Sequence, residues 1–278
     1  MSGTLVLCGT PIGNLDDLAP RAVRTLETAD VIACEDTRRT RKLLAHCGVR
    51  ARELVSYHEG NERRRTRALV ERVARGDTVV VVSDAGMPGL SDPGYRLVNG
   101  CVAAGLDVRV VPGPSAVVSA LAISGLPPGR FVFEGWLPRK PGERRRHVAQ
   151  LADERRTIVL FESPHRVEDA LADLVEGLGP RPAALARELT KLHEEVRRGT
   201  LPELLDDVRA DPPRGEIVLV VGGAVHGHRE HVGPDELARR ARALMESGVE
   251  RRDALARVAA DAGVPRRAVF DALVGDGG

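Results

Sequence analysis

Short runs of β-branched residues alternate with amphipathic segments along roughly the first 220 residues of this chain. The runs Thr4–Cys8, Val31–Cys34, Thr78–Val82 and Asp107–Val111 have the length of buried strands, and the segments 19–28, 38–46, 62–75 and 95–104 have helical spacing. Strands in such a rhythm bury both faces in a largely parallel sheet covered by helices on each side. A second βα series opens at 131–137 and continues through 157–161, 183–186 and 216–221. The Gly/Pro-rich stretches SGLPPGRF (124–131) and GGAVHGHREHVGP (222–234) read as links. The expected organisation is an N-terminal α/β domain (1–124), a C-terminal α/β domain (125–224) and a small helical tail (232–278). Tail segments 235–247, 251–262 and 266–274 read as helices. The last two have helix-turn-helix spacing, with Ala256, Val258 and Ala259 on one and Val269, Phe270 and Leu273 on the other.

Lys and Arg total 41 against 40 Asp and Glu, so no global field draws the chain to nucleic acid, and any attraction is local. The cations are almost all Arg; Lys stands only at Lys42, Lys140 and Lys191. Cys8, Cys34, Cys47 and Cys101 are scattered without a CxxC pair, the pattern of reduced core cysteines in a reducing cytoplasm. The chain passes at once into a strand-like run without a charged n-region or cleavage motif, so no targeting segment is expected, and no apolar run approaches the roughly 20 residues of a membrane span. The HGHREH stretch (226–231) lies in a Gly-rich link with no companion ligand set, so no metal is expected.

Four polar, Gly/Pro-rich loops follow strand candidates: GTPIGN (9–14), SDAGMPGLSDPG (83–94), PGPSA (112–116) and ESPHR (162–166). Ligands of open α/β sheets bind at the carboxyl ends of strands, so four such loops form one composite site. GTPIGN lacks the G-x-G-x-x-G of a dinucleotide turn, and Pro11 removes an N–H that a pyrophosphate would want. There is no G-x-x-x-x-G-K-[ST] either. The loops offer Asp84 and Asp92 as acceptors, glycines for close backbone approach, and apolar Met87 and Leu90. That mix suits a small cationic ligand with an aromatic ring and hydroxyls better than a polyphosphate. S-adenosylmethionine meets this description, which composition alone does not name.

GTPIGNLDDLAPRA, ACEDTR, SDAGMPGLSDPG, VVPGPSA, FESPHR and RELTKLHEEV stand in that order from about residue 4 to 223. This set resembles the ribosomal RNA small subunit methyltransferase I family of the tetrapyrrole-methylase superfamily. The resemblance implies a tetrapyrrole-methylase-like fold: two α/β domains with a cleft between them, and a helical C-terminal element. It implies S-adenosylmethionine as cofactor, 16S rRNA in the small ribosomal subunit as partner, a homodimer, and methylation of the 2′-oxygen of a decoding-centre cytidine. Superfamily positions carry the donor site to Pro11, to Asp84, Ala85, Gly86, Met87 and Leu90, and to Ser115 and Ala116. Phe161, Glu162, Leu189 and Glu216 complete it.

A ribose hydroxyl is a poor acid, so a base or a nearby cation would help the transfer. Glu35, Asp36 and Arg38, His58 and Glu59, and Arg187, Glu188 and Lys191 are the candidates. Each has a structural alternative: Asp36 caps the helix starting near Arg38, His58 sits on a polar turn, and Arg187 and Glu188 pair with neighbours. For RNA, Arg39, Arg41 and Lys42 follow a strand end. Arg139, Lys140, Arg144, Arg145 and Arg146 lie on what reads as a Pro/Gly loop. Aromatic residues are only 3% of the chain, so phosphate contacts and RNA shape must dominate over stacking. The rival functions are a tetrapyrrole-precursor methyltransferase, which needs no basic loops, and a non-catalytic RNA-binding factor on the same fold.

Overall fold

The structure, a computed structural model, describes residues 3–224, 233–262, 264 and 266–275; the HGHREH stretch lies outside them. The first half runs β1 (Thr4–Cys8), α1 (Pro20–Thr28), β2 (Val31–Cys34), α2 (Thr37–His46), β3 (Leu54–Ser56), α3 (Glu62–Ala74), β4 (Thr78–Val82), α4 (Tyr95–Ala103), β5 (Asp107–Val111) and α5 (Ala116–Ile123). Its sheet is wholly parallel in the order β3-β2-β4-β1-β5. The apolar runs of β2 and β4 occupy the interior, while β5, with Arg109 and Val110 exposed, forms an edge. Strand alternation sends Val80 and Val82 against α1 and α2 through Leu26 and Leu44. Val79 and Val81 face α3 and α4 through Leu69, Val73 and Leu97. Each such buried side chain contributes about 1.5–3 kcal/mol.

The second half runs β6 (Phe131–Trp136), α6 (Pro141–Gln150), β7 (Thr157–Glu162), α7 (Val167–Leu178), β8 (Pro182–Arg187), β9 (Glu195–Thr200), α8 (Leu201–Ala210) and β10 (Ile217–Val221). Here the parallel expectation fails. In the order β6-β7-β10-β8-β9, only β6 and β7 are parallel; β10 runs antiparallel to β7 and β8, and β9 antiparallel to β8. The sequence EVRRGT of β9 has no hydrophobic run because an edge strand is free to carry charge. A second difference is α6, which replaces the expected Pro/Gly loop. Pro141 stands at its first turn, where a missing N–H costs nothing.

Helices α6, α7 and α8 cover one face of the second sheet. The other face receives Val117, Ala120 and Leu121 of α5 together with Ile12. A boundary at residue 124 thus falls behind a helix that packs on the second sheet, and residues up to Ala224 form one compact unit.

The tail is a separate unit of α9 (Pro234–Glu246), α10 (Arg251–Ala262) and α11 (Arg266–Gly275). Leu237, Ala241, Leu255, Val258, Ala259 and Val269 are buried within it. Ala256 is exposed; the buried stripe of α10 starts instead at Ala254 and Leu255. Phe270 is half-exposed beneath the Arg251 guanidinium, 5.5 Å from the ring centre.

The four cysteines are free, and burial pushes the Cys8 thiol up to about 12. No helix among the described residues is long and apolar enough to cross a membrane.

Candidate functional site

The loops after β1, β4 and β5 are laced into one wall. Thr10 and Gly86 exchange backbone hydrogen bonds of 2.9 and 3.1 Å. The Thr10 hydroxyl donates to the Ser83 carbonyl at 3.2 Å, and the Ser83 hydroxyl to the Gly86 carbonyl at 3.1 Å. Gly9 and Gly113 meet backbone to backbone: a Cβ on Gly9 would lie 2.6 Å from the Gly113 Cα and 2.7 Å from the Met87 sulfur. Only glycine permits this approach. From the second half, the β6–β7 pair supplies an aromatic cluster. Phe161 packs edge-on against Phe133 at 4.9 Å and tilted against Trp136 at 5.7 Å.

Between these walls lies a cavity. Ala85, Gly86, Met87 and Leu90 line it from the β4 loop, and Ser115 and Ala116 from the start of α5. Phe161, Leu189 and Glu216 close it from the second half. Leu90 and Trp136 are half exposed at its lip. Trp136, Ile12, Asp92 and Val218 also line it, although the positions carried over from the superfamily omit them. Ile12 is the neighbour of expected Pro11, but Trp136 is signalled only by its being the sole tryptophan, at a strand end.

Charge gathers at one side. Asp92 is pushed up to about 7, chiefly by burial, then by the negative charges of Glu35, Asp84 and Glu216. Burial and Asp84 likewise raise Glu35. Asp84 accepts the Asp36 N–H at 3.1 Å and lies 3.5 Å from Arg39.

The sequence pattern described as tetrapyrrole (corrin/porphyrin) methylases matches residues 4–205. The ribosomal RNA small subunit methyltransferase I of Mycobacterium tuberculosis (strain CDC 1551 / Oshkosh) is 48% identical over 98% of this chain and 95% of its own. That of Synechocystis sp. (strain ATCC 27184 / PCC 6803 / Kazusa) is 44% identical over 96% of each. The chain belongs to the ribosomal RNA small subunit methyltransferase I family of tetrapyrrole methylases. Among solved structures, a uroporphyrin-III C-methyl transferase from Thermus thermophilus complexed with S-adenyl homocysteine shares the fold. Its TM-score is 0.55 at 20% identity, over 79% of this chain and 97% of that one.

Within this tetrapyrrole methylase, three expected donor-site residues lie off the cavity wall: Pro11, Asp84 and Glu162. Glu162 is fully buried, which raises its carboxyl; it accepts the Ser163 N–H at 2.8 Å and faces Arg166 at 3.4 Å. Arg166 in turn donates to the Leu137 carbonyl at 2.7 Å.

The catalytic candidates are mostly committed elsewhere. Asp36 caps α2, accepting the Arg38 N–H at 2.8 Å, and its bonds to the Arg38 guanidinium hold its carboxyl well below the usual range. Arg38 otherwise points to solvent. The His58 N–H donates to the Asn61 side chain at 3.0 Å, so the polar strand exit is in part a turn. Lys191 bridges Glu188 at 2.9 Å and Glu216 at 3.3 Å. Arg187 pairs with Glu195.

Of the RNA candidates, Arg41, Lys42, Arg139, Lys140, Arg145 and Arg146 are exposed, and Arg39 is exposed beside Asp84. Arg144 is not a surface cation. It is buried inside α6 and bonds Asp173 at 2.6 Å, because its helical position faces α7. Among the described residues, no three His, Cys, Asp or Glu side chains gather as a metal site.

Proposed function

We propose that the cleft holds S-adenosylmethionine and that the protein transfers its methyl group to the ribose 2′-oxygen of a decoding-centre cytidine in 16S rRNA. The observation that carries this reading is that the family's loops converge on a single cavity, walled by aromatic side chains and backed by close-packed glycines. The relatives' name supplies the substrate class.

The residues present fit such a donor. Trp136 and Phe161 offer ring faces, Met87 and Leu90 apolar contact, and Glu216 an acceptor and negative charge for a cation. The bound donor supplies an electrophilic methyl group on a positively charged sulfur. The work of the chain is then orientation. Rigid loops that align the hydroxyl with the methyl can supply up to about 7–11 kcal/mol of the barrier. The apolar lip excludes water that would compete for the site.

Exposed Arg41 and Lys42 on α2, with Arg139, Lys140, Arg145 and Arg146 around α6, supply phosphate contacts. Replacing Arg145 and Arg146 by Ala should weaken binding to all RNA sequences alike and flatten the plot of log affinity against log salt by about 1.4–1.8. Filter binding at graded salt measures this. The exposed apolar residues Tyr95, Val102, Val110 and Val118 on α4, β5 and α5 offer area to a second copy, which sedimentation tests. This reading places the protein in the cytoplasm, with the ribosomes.

The direct test is labelled methyl transfer to purified small subunits and to naked 16S rRNA, with the modified ribose mapped. Label on a decoding-centre 2′-oxygen is the expected result. Donor binding without RNA labelling would turn the assignment to a tetrapyrrole precursor, and absence of donor binding would leave an RNA-binding factor.

A further inference from the structure

Five carboxylates gather near the cleft, and four of their possible roles are already taken or out of reach. Asp84 is held by the Asp36 N–H and Arg39. Glu216 is held by Lys191. Asp36 is held by Arg38. Glu35 does not line the cavity. Asp92 does, and among the described residues no group donates a hydrogen bond to it or pairs with it.

The backbone holds Asp92 in place. Ser91 stands at φ 61, in the left-handed region, a cost that a non-glycine residue bears only where surroundings impose it. The β6 bulge stands beside it: a Cβ on Gly135, itself at φ 64, would lie 3.3 Å from the Ser91 hydroxyl. The loop from the first sheet is thereby seated against the second, one residue before Asp92 and one residue from Trp136.

We propose that Asp92 is the general base of the transfer, taking the proton of the attacking ribose hydroxyl. This rests on the reading of the cleft given above. The hydroxyl proton passes to an Asp92 carboxylate oxygen. The freed oxygen pair forms the C–O bond to the methyl carbon, and the C–S bond breaks with its electron pair left on sulfur. One negative charge on Asp92 and one positive charge on sulfur are cancelled, so atoms and charge balance.

The surroundings of Asp92 suit this task. A base works best when its own proton affinity is matched to the working pH. Burial and the facing carboxylates Glu35 (after β2), Asp84 (after β4) and Glu216 (before β10) raise it to about 7. The cations in the same cluster, Arg39 and Lys191, are engaged with Asp84 and with Glu188 and Glu216. A group raised in this way gains its charge as pH climbs through about 7, so transfer should speed up over that interval.

The test compares wild type with Asp92→Asn and Asp92→Glu. Single-turnover transfer to small subunits should slow roughly 10²–10⁴-fold in Asp92→Asn, and the rise near pH 7 should vanish; Asp92→Glu should keep part of both. Donor affinity by calorimetry should stay within about threefold, and thermal melts should show an intact fold. In the donor-free protein with ¹³C-labelled Asp, one carboxyl resonance should titrate near 7 and be missing in Asp92→Asn. Wild-type rate in Asp92→Asn would overturn the assignment. So would a loss confined to donor affinity, which would make Asp92 a donor contact. If wild type itself methylates no RNA, the reading of the cleft falls with it; if wild type and Asp92→Asn methylate at the same rate, only this assignment falls.

Discussion

Replacing Arg144 by alanine should destabilise the protein by about 3–5 kcal/mol while leaving the salt dependence of RNA binding unchanged. The Arg144 side chain is 5% exposed and Asp173 11%, and their bond is 2.6 Å, so removal of the cation strands a carboxylate between α6 and α7. Asp169, 3.8 Å from the same guanidinium but largely exposed, cannot follow it inward. Losses of this size lower the melting temperature by about 6–20 °C. The double replacement Arg144→Met with Asp173→Leu removes both charges and should recover most of the loss, since apolar pairs often substitute for buried ion pairs without penalty. Thermal and urea unfolding measure both. A melting temperature for Arg144→Ala within a degree or two of wild type, with a flattened salt plot, would return Arg144 to the RNA-facing set.

Gly9→Ala should abolish tight donor binding. The added methyl would stand 2.6 Å from the Gly113 Cα and amide nitrogen. Backbone atoms cannot swing aside as the Met87 sulfur can, so the loops after β1 and β5 must part. Misplacement of about 1 Å in such a site costs on the order of 10²-fold in rate, and a comparable loss in donor affinity is expected by calorimetry. Gly142→Ala is the control. That glycine lies in the first turn of α6 with nothing within 4 Å of an added Cβ, so alanine should be neutral or stabilising by up to about 1 kcal/mol. Equal donor affinity in Gly9→Ala and wild type would contradict the close approach of these loops.

Much of the site was legible because its signals are local. A β-branched run followed by Gly, Pro and Asp marks a strand and its exit wherever it occurs, so the loops after β1, β4 and β5 were legible; nine of the expected donor-site residues line the cavity they border, whereas none of residues 162–166 does. The family motifs brought Asp84 and Glu162 to the same site. One caps nothing in the cavity but orders the β2–α2 turn, and the other is buried behind the wall. Proximity along the chain does not separate facing the cavity from supporting it.

Local pattern alone determined the apolar strands, the βα rhythm of the first half, the loops and the helical tail, since hydrophobic period and backbone punctuation act over a few residues; it did not mark the short β3 or the charged edge strand β9. Tertiary structure decided the rest. It turned β10 antiparallel and sent α5 to the second sheet, because sheet order and packing depend on which faces remain to be covered. It drew Arg144 inward while leaving Arg145 and Arg146 in water, because a helix turns about 100° per residue. And it left Asp92 without a partner among the described residues while Asp84 and Glu216 have one, because a group's charge environment is set by neighbours distant in sequence: Glu35, Asp84 and Glu216.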